Sequence, residues 1–176
     1  MRISKRFLGC MTAFAVAGQL AVAQEVSENA VANKTDWTVF VEDNPKECWS
    51  VSEPTNTVNT RDGRVVAANR GKILLMVFYR PSAGAKGHVA FTGGYPFRED
   101  STVSVDIGGT AFSMFTDGEW AWTETTSDDA KLVAAMKRGA NAVVTGVSSR
   151  GTTTKDTFSL LGFTAAVEDA EKRCDS

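Results

Sequence analysis

The chain has 176 residues, 43% of them hydrophobic, and its 19 basic and 21 acidic residues give a formal net charge of −2 at pH 7. This length suits a single domain with a sizeable core. The charge balance lacks the positive excess that drives nucleic-acid binding, so we predict no nucleic-acid partner.

The first residues have the pattern of a secretory signal peptide. A short basic start precedes an uncharged apolar run over 7–20, which is shorter than the roughly 20 residues of a membrane-spanning helix. Ala21 and Ala23 supply the small residues that a signal peptidase recognises. We predict that residues 1–23 are removed, that no transmembrane segment remains, and that the protein is periplasmic, outer-membrane-associated or secreted.

Two alternatives exist for this segment. Leu8-Gly9-Cys10 has the form of part of a lipoprotein signal, which would place a lipid on Cys10, although only nine residues precede that cysteine. The second alternative is a buried N-terminal helix. Loss of residues 1–23 would remove three basic and no acidic residues, and the formal charge would become −5.

The mature chain is predicted to contain one domain. Residues 24–35 are polar and aperiodic, which indicates a flexible leader, and residues 36–176 form the domain. Cleavage would leave two cysteines, Cys48 and Cys174, in the predicted oxidising compartment. Because their number is even, we predict that they form a disulfide. Two buried free thiols are the alternative, whereas two cysteines and the single His88 make a poor metal-ligand set. No metal or cofactor is predicted.

Short alternating or apolar segments separated by turn signals predict a series of strands. These segments are 37–41, 48–52, 64–67, 72–79, 88–92, 101–107, 110–115, 119–123, 141–148 and 152–160. In the segment 101–107, strict alternation places Val103, Val105 and Ile107 on one face, which predicts that this face is buried.

Two short helices are predicted, at about 128–138 and 163–173. Ser127 is a candidate cap for the first helix, and Gly139 is expected to end it in a left-handed conformation. Many short strands and only two helices predict a mainly β fold, an antiparallel β-sandwich or barrel-like domain.

The sequence offers little for catalysis. His88 is the only histidine, so a Ser–His–acid site would have to use it, with Ser104 and Asp106 on the following strand as the nearest candidates. Those two residues share the face predicted to be solvated, and no Gly-x-Ser-x-Gly motif is present. We predict no catalytic residues and a non-enzymatic protein. A small periplasmic hydrolase that uses His88 is the alternative.

Two further sets of residues are candidates for binding. Trp120 and Trp122 lie on one face of a strand, where the core is the favoured location and stacking on sugars the alternative. Four basic residues form a cluster that could meet an anionic polymer or lipid head groups. They are Arg61, Arg64, Arg70 and Lys72. The alternative is that these charges keep strand edges soluble.

Six motifs between Asp36 and Cys174 point to one family. They are Asp36-Trp37-Thr-Val-Phe40, Pro45-Lys-Glu-Cys48-Trp49-Ser-Val-Ser52, Phe91-Thr-Gly-Gly-Tyr-Pro-Phe97, Asp117-Gly-Glu-Trp-Ala-Trp122, Ala135-Met-Lys-Arg-Gly139 and Phe158-Ser-Leu-Leu-Gly-Phe-Thr-Ala-Ala166. The most specific is the last, followed by the terminal cysteine. With these motifs the chain resembles the invasion-associated locus B family of alphaproteobacterial envelope proteins.

The resemblance implies an exported envelope protein without catalytic residues, linked in a host-associated member to red-cell invasion. This chain departs from the family pattern in lacking a cysteine soon after Trp37, so the second disulfide of some relatives is not expected here. We expect a domain that binds an unknown envelope or host-surface component. A carbohydrate-binding module is the alternative.

Overall fold

The computed structural model describes residues 29–175. The predicted signal peptide, with Cys10, and residues 24–28 of the predicted leader lie outside the described residues. The rest of that leader differs from the expectation, because Ala30–Lys34 form a strand that pairs with the start of the domain.

The described chain forms a single antiparallel sheet and two α-helices, which confirms the predicted fold class. The strands are β1 (Ala30–Lys34), β2 (Trp37–Asp43), β3 (Lys46–Ser52), β4 (Asn56–Arg61), β5 (Arg64–Val65), β6 (Leu74–Arg80), β7 (Ala85–Thr92), β8 (Thr102–Ile107), β9 (Thr110–Asp117), β10 (Trp120–Trp122), β11 (Asn141–Val147) and β12 (Thr153–Ser159). The helices are α1 (Thr126–Arg138) and α2 (Phe163–Cys174). The order of the strands across the sheet is β1-β2-β3-β6-β7-β10-β9-β8-β11-β12-β4-β5.

The sheet curves so that one of its faces surrounds the core. Phe91 on β7 contacts Phe158 on β12 with ring centroids 6.1 Å apart, although four strands separate β7 from β12 in the sheet. Val103, Val105 and Ile107 are buried on the inner face, as the alternation of β8 predicts. Alternation along each strand therefore places one set of side chains in the core and the other set on the outer face.

Helix α2 covers the inner face of β2, β3 and β6. Phe163 packs edge-on against Trp37 at 4.8 Å, and the Trp37 indole donates a hydrogen bond to the Ser159 carbonyl at 3.0 Å. The last turn of α2 is joined to β3 by the Cys48–Cys174 disulfide, whose Cα atoms are 5.8 Å apart. The closing Ser-Leu-Leu-Gly-Phe motif thus has a structural role, since it fixes the helix onto the sheet.

Helix α1 ends at Arg138 as predicted, but its caps differ from the prediction. Thr125, not Ser127, caps it, because the Thr125 hydroxyl accepts a hydrogen bond from the Asp128 amide at 3.2 Å. Gly139 is extended rather than left-handed. A Cβ atom at Gly139 would lie 2.5 Å from the Ile107 side chain, so glycine is needed here for close packing rather than for a turn.

Candidate functional site

The outer face of the sheet carries large apolar side chains where a polar face is expected. An antiparallel sheet that covers a core on one side usually has polar residues on the other. Here the half-buried outward residues of β2, β3, β6 and β10 form one continuous surface, which we call the aromatic face. Its members are Phe40, Trp49, Met76, Phe78, Trp120 and Trp122.

Strand register brings these residues together. Phe40 lies opposite Trp49, which lies opposite Phe78, across the three neighbouring strands β2, β3 and β6. The Phe40 and Trp49 rings are nearly parallel, 9° apart in plane and 6.0 Å between centroids. Phe78 meets Trp122 edge-on at 5.8 Å. The aromatic face therefore consists of two groups of contacting rings, which the pairing of Trp49 with Phe78 places side by side on neighbouring strands.

The two tryptophans of β10 lie outside the core, which corrects the favoured prediction for them. Ala121 points inward and is fully buried, so its neighbours Trp120 and Trp122 point outward and are half-buried. Their rings are 5.8 Å apart. Alternation showed that both residues share a face, but it could not show which face was the inner one. At the far end of the face, Phe115 lies opposite Trp122 and is 41% exposed.

A groove of about 520 Å³ lies at the β2 end of the aromatic face. Phe40, Trp49 and Met76 line it together with Val51 and Leu74. Polar residues line the same groove, and three of them are charged and exposed: Asp36, Glu53 and Lys72. The groove therefore combines an apolar surface with charged groups of both signs.

His88 lies beside a buried carboxylate but without the predicted partners. Its Nδ1 is 3.8 Å from an oxygen of Asp129, a residue that is only 3% exposed. Asp129 accepts hydrogen bonds from the Val89 amide at 2.8 Å and from the Thr123 hydroxyl. These bonds tie α1 to β7, which is a structural role that sequence reasoning missed.

The structure does not bring Ser104 and Asp106 to His88. They lie on β8, three strands away from β7 in the sheet. Asp106 instead accepts a hydrogen bond from the Gly109 amide in the following turn at 3.2 Å. Among residues 29–175, no hydroxyl or thiol is hydrogen-bonded to His88, so the neighbourhood holds a histidine and an acid without an aligned nucleophile.

Three of the four predicted basic residues lie near one another, because Arg61 pairs with Arg64 across β4 and β5 and lines the same pocket as Arg70. Arg70 is buried and forms a two-pronged ion pair with Asp156, with N–O distances of 2.7 and 2.6 Å. Lys72 lies at the groove, while Arg61 and Arg64 are exposed on β4 and β5. The charge of Arg70 is thus compensated inside the protein. A role in meeting an anionic partner remains a prediction for the exposed pair Arg61 and Arg64.

Both tyrosines resist ionisation. Burial, reinforced by nearby acids of α2, raises the pKa of Tyr79. Burial also raises the pKa of Tyr95, against the lowering effects of its hydrogen bond with Thr154 and of Arg70 above its ring. Tyrosine ionises when it loses a proton, so a raised folded-state pKa means that the folded state is destabilised only as the pH rises above 10.

We therefore expect less tyrosinate absorbance from the folded protein at pH 10 than from the denatured chain. In denaturant at the same pH, the two tyrosines should be about half ionised. Ultraviolet difference spectroscopy measures this directly, with circular dichroism as the check that the protein is folded. Tyrosinate absorbance equal to that of the denatured chain, while the fold persists, would contradict the burial described here.

Within residues 29–175, no cluster of three or more histidine, cysteine or acidic side chains is suited to holding a metal ion. In the same range, the helices are too short or too polar to span a bilayer.

The family profile described as "Invasion associated locus B (IalB) protein" matches residues 37–171, which is most of the chain. The chain belongs to this family. A crystal structure of invasion associated protein B from Bartonella henselae is similar to this invasion-associated locus B protein, with a TM-score of 0.56 and 14% sequence identity. The match covers 82% of this chain and 98% of that chain. At that identity the likeness shows a shared fold. No curated protein matches the chain.

Proposed function

We propose that this invasion-associated locus B protein is an exported, non-enzymatic cell-envelope protein that binds a partner through its aromatic face. The observation that carries the proposal is that strand register and ring contacts place half-buried rings, from Phe40 to Trp120, on one outer surface. The inner face already encloses the core, so these rings have no packing role inside the domain. Contiguous apolar surface of this kind is typical of interaction sites.

Export is supported by three independent features. The first 23 residues have the composition of a signal peptide. Cys48 and Cys174 are joined, and disulfides persist mainly in oxidising compartments. The chain belongs to the invasion-associated locus B family, and resemblance to that family implies an envelope protein. Fractionation of the native bacterium and N-terminal sequencing are the corresponding measurements, and we expect a mature N-terminus at or near Gln24.

Binding through the aromatic face can be tested by photo-cross-linking in the native bacterium. A benzophenone amino acid at Phe115 sits at the end of the face, whereas one at Val65, which is 77% exposed on β5, serves as a matched control away from it. We expect a discrete partner adduct from position 115 and little from position 65. Equal adducts from both positions, or none from 115, would contradict the proposal.

The hydrolase alternative rests on His88 and its contact with Asp129. A general base must reach the group that it deprotonates, and within residues 29–175 no nucleophile is hydrogen-bonded to His88. We expect the purified protein to be inactive against ester, peptide, phosphate and glycoside substrates, and the His88→Ala variant to retain partner binding. A turnover that disappears in folded His88→Ala protein would favour the hydrolase over the binding protein.

A further inference from the structure

We propose that the groove lined by Phe40 and Trp49 binds a neutral saccharide. This inference rests on the proposed function, because it assigns a ligand class to one end of the aromatic face. The groove lies across β2, β3 and β6, and its volume of about 520 Å³ is in the range of small-molecule sites.

The apolar part of the groove suits the faces of sugar rings. Phe40 and Trp49 present two aromatic rings in nearly the same orientation, and Val51, Leu74 and Met76 extend the surface beside them. Aromatic rings carry a negative face that attracts the positively polarised C–H groups of a sugar. Because the rings are held by rigid, fully paired strands, little conformational entropy would be lost when a ligand stacks on them.

The polar part of the groove suits sugar hydroxyls. Asp36, Glu53 and Lys72 are exposed, and within residues 29–175 none of them forms an ion pair, although they line the same groove. A carboxylate only accepts hydrogen bonds and an ammonium group only donates them. A saccharide hydroxyl does both, so one ligand can satisfy all three groups. The mixture of two acids and one base gives no strong preference for a charged ligand.

The geometry disfavours two other occupants. An extended peptide that adds to a sheet needs a free strand edge, whereas β2, β3 and β6 are each paired on both sides. An acyl chain offers no hydrogen-bonding groups to the three charged side chains that line the groove. A saccharide presents both the apolar faces and the hydroxyls that this groove requires.

The test is a titration of the isotope-labelled purified protein with three neutral tetrasaccharides, followed by amide NMR shifts. The probes are cellotetraose, maltotetraose and N-acetylchitotetraose, and octanoate is the acyl control. We expect at least one saccharide to shift amides of β2, β3 and β6 in a saturable manner. Trp49→Ala should weaken that binding by about tenfold. Trp120→Ala, at the other end of the aromatic face, should change it by less than about twofold.

Glu53→Gln provides a variant that does not threaten the fold, because Glu53 is exposed, and we expect it to weaken saccharide binding severalfold. Absence of saturable shifts with all three saccharides would overturn the inference, as would shifts with octanoate alone. So would shifts that are unchanged in both Trp49→Ala and Glu53→Gln. Partner adducts from position 115 that persist in any of these cases would show that the saccharide inference fails while the proposed function stands.

Discussion

Asp156→Ala is expected to lower the free energy of unfolding by about 3–5 kcal/mol, because it leaves a buried guanidinium without its partner. The Asp156 side chain is fully buried and that of Arg70 is 6% exposed. Arg70 also donates hydrogen bonds to the Gly93 carbonyl at 2.8 Å and to the Asn59 side chain at 3.2 Å. Arg70 thereby joins β12, β4 and the segment after β7. Removing its partner Asp156 therefore affects several parts of the sheet.

Urea unfolding of the variant and the natural protein measures this difference. The pair formed by Arg80 and Glu47 is a matched control, with similar two-pronged geometry at 2.6 and 3.1 Å but with partly exposed side chains. Glu47→Ala should cost no more than about 1 kcal/mol. Equal losses of unfolding free energy in Asp156→Ala and Glu47→Ala would contradict the claim that burial makes the Arg70–Asp156 pair more stabilising than the exposed pair.

Cys174→Ser is expected to lower the free energy of unfolding by about 2–5 kcal/mol. The disulfide joins two residues that are 126 positions apart, so it closes nearly the whole described domain and restricts the unfolded chain strongly. It also holds the last turn of α2 against β3, where Cys48 is buried. Equilibrium unfolding under non-reducing conditions should show the loss.

The control for this prediction is chemical reduction. The natural protein in reductant should lose the same stability, whereas Cys174→Ser should be insensitive to reductant. Peptide mapping of unreduced protein from the bacterium should recover one linked pair. Two freely alkylated thiols, or a variant as stable as the oxidised protein, would contradict the disulfide's role.

The fold was largely predictable because its signals are local. The alternation of β8 placed Val103 and Val105 correctly in the core, and the composition of 163–173 placed α2 within one residue of its end. The strand β1 was missed because Ala30–Lys34 is short and gains its order from pairing with β2, which is a tertiary effect.

The candidate site was harder to predict because it depends on strand order. Phe40, Trp49 and Phe78 come from three strands, and only their register makes one surface of them. Arg70 and Asp156 are 86 residues apart, so no local pattern distinguished this buried pair from a surface charge. The sequence did contain one usable sign in β6, where residues 74–79 are large and apolar at both alternating positions.

The central claim is that the aromatic face is the binding surface. The most direct measurement is photo-cross-linking from a benzophenone amino acid at position 115 in a chain that also carries Trp122→Ala. Trp122 lies opposite Phe115 on the aromatic face. Leu161→Ala is the matched control, because Leu161 is 62% exposed and lies outside that face. Urea unfolding of both variants establishes that each is folded. The account predicts that the partner adduct is lost with Trp122→Ala and kept with Leu161→Ala. An adduct of full yield with folded Trp122→Ala would contradict it.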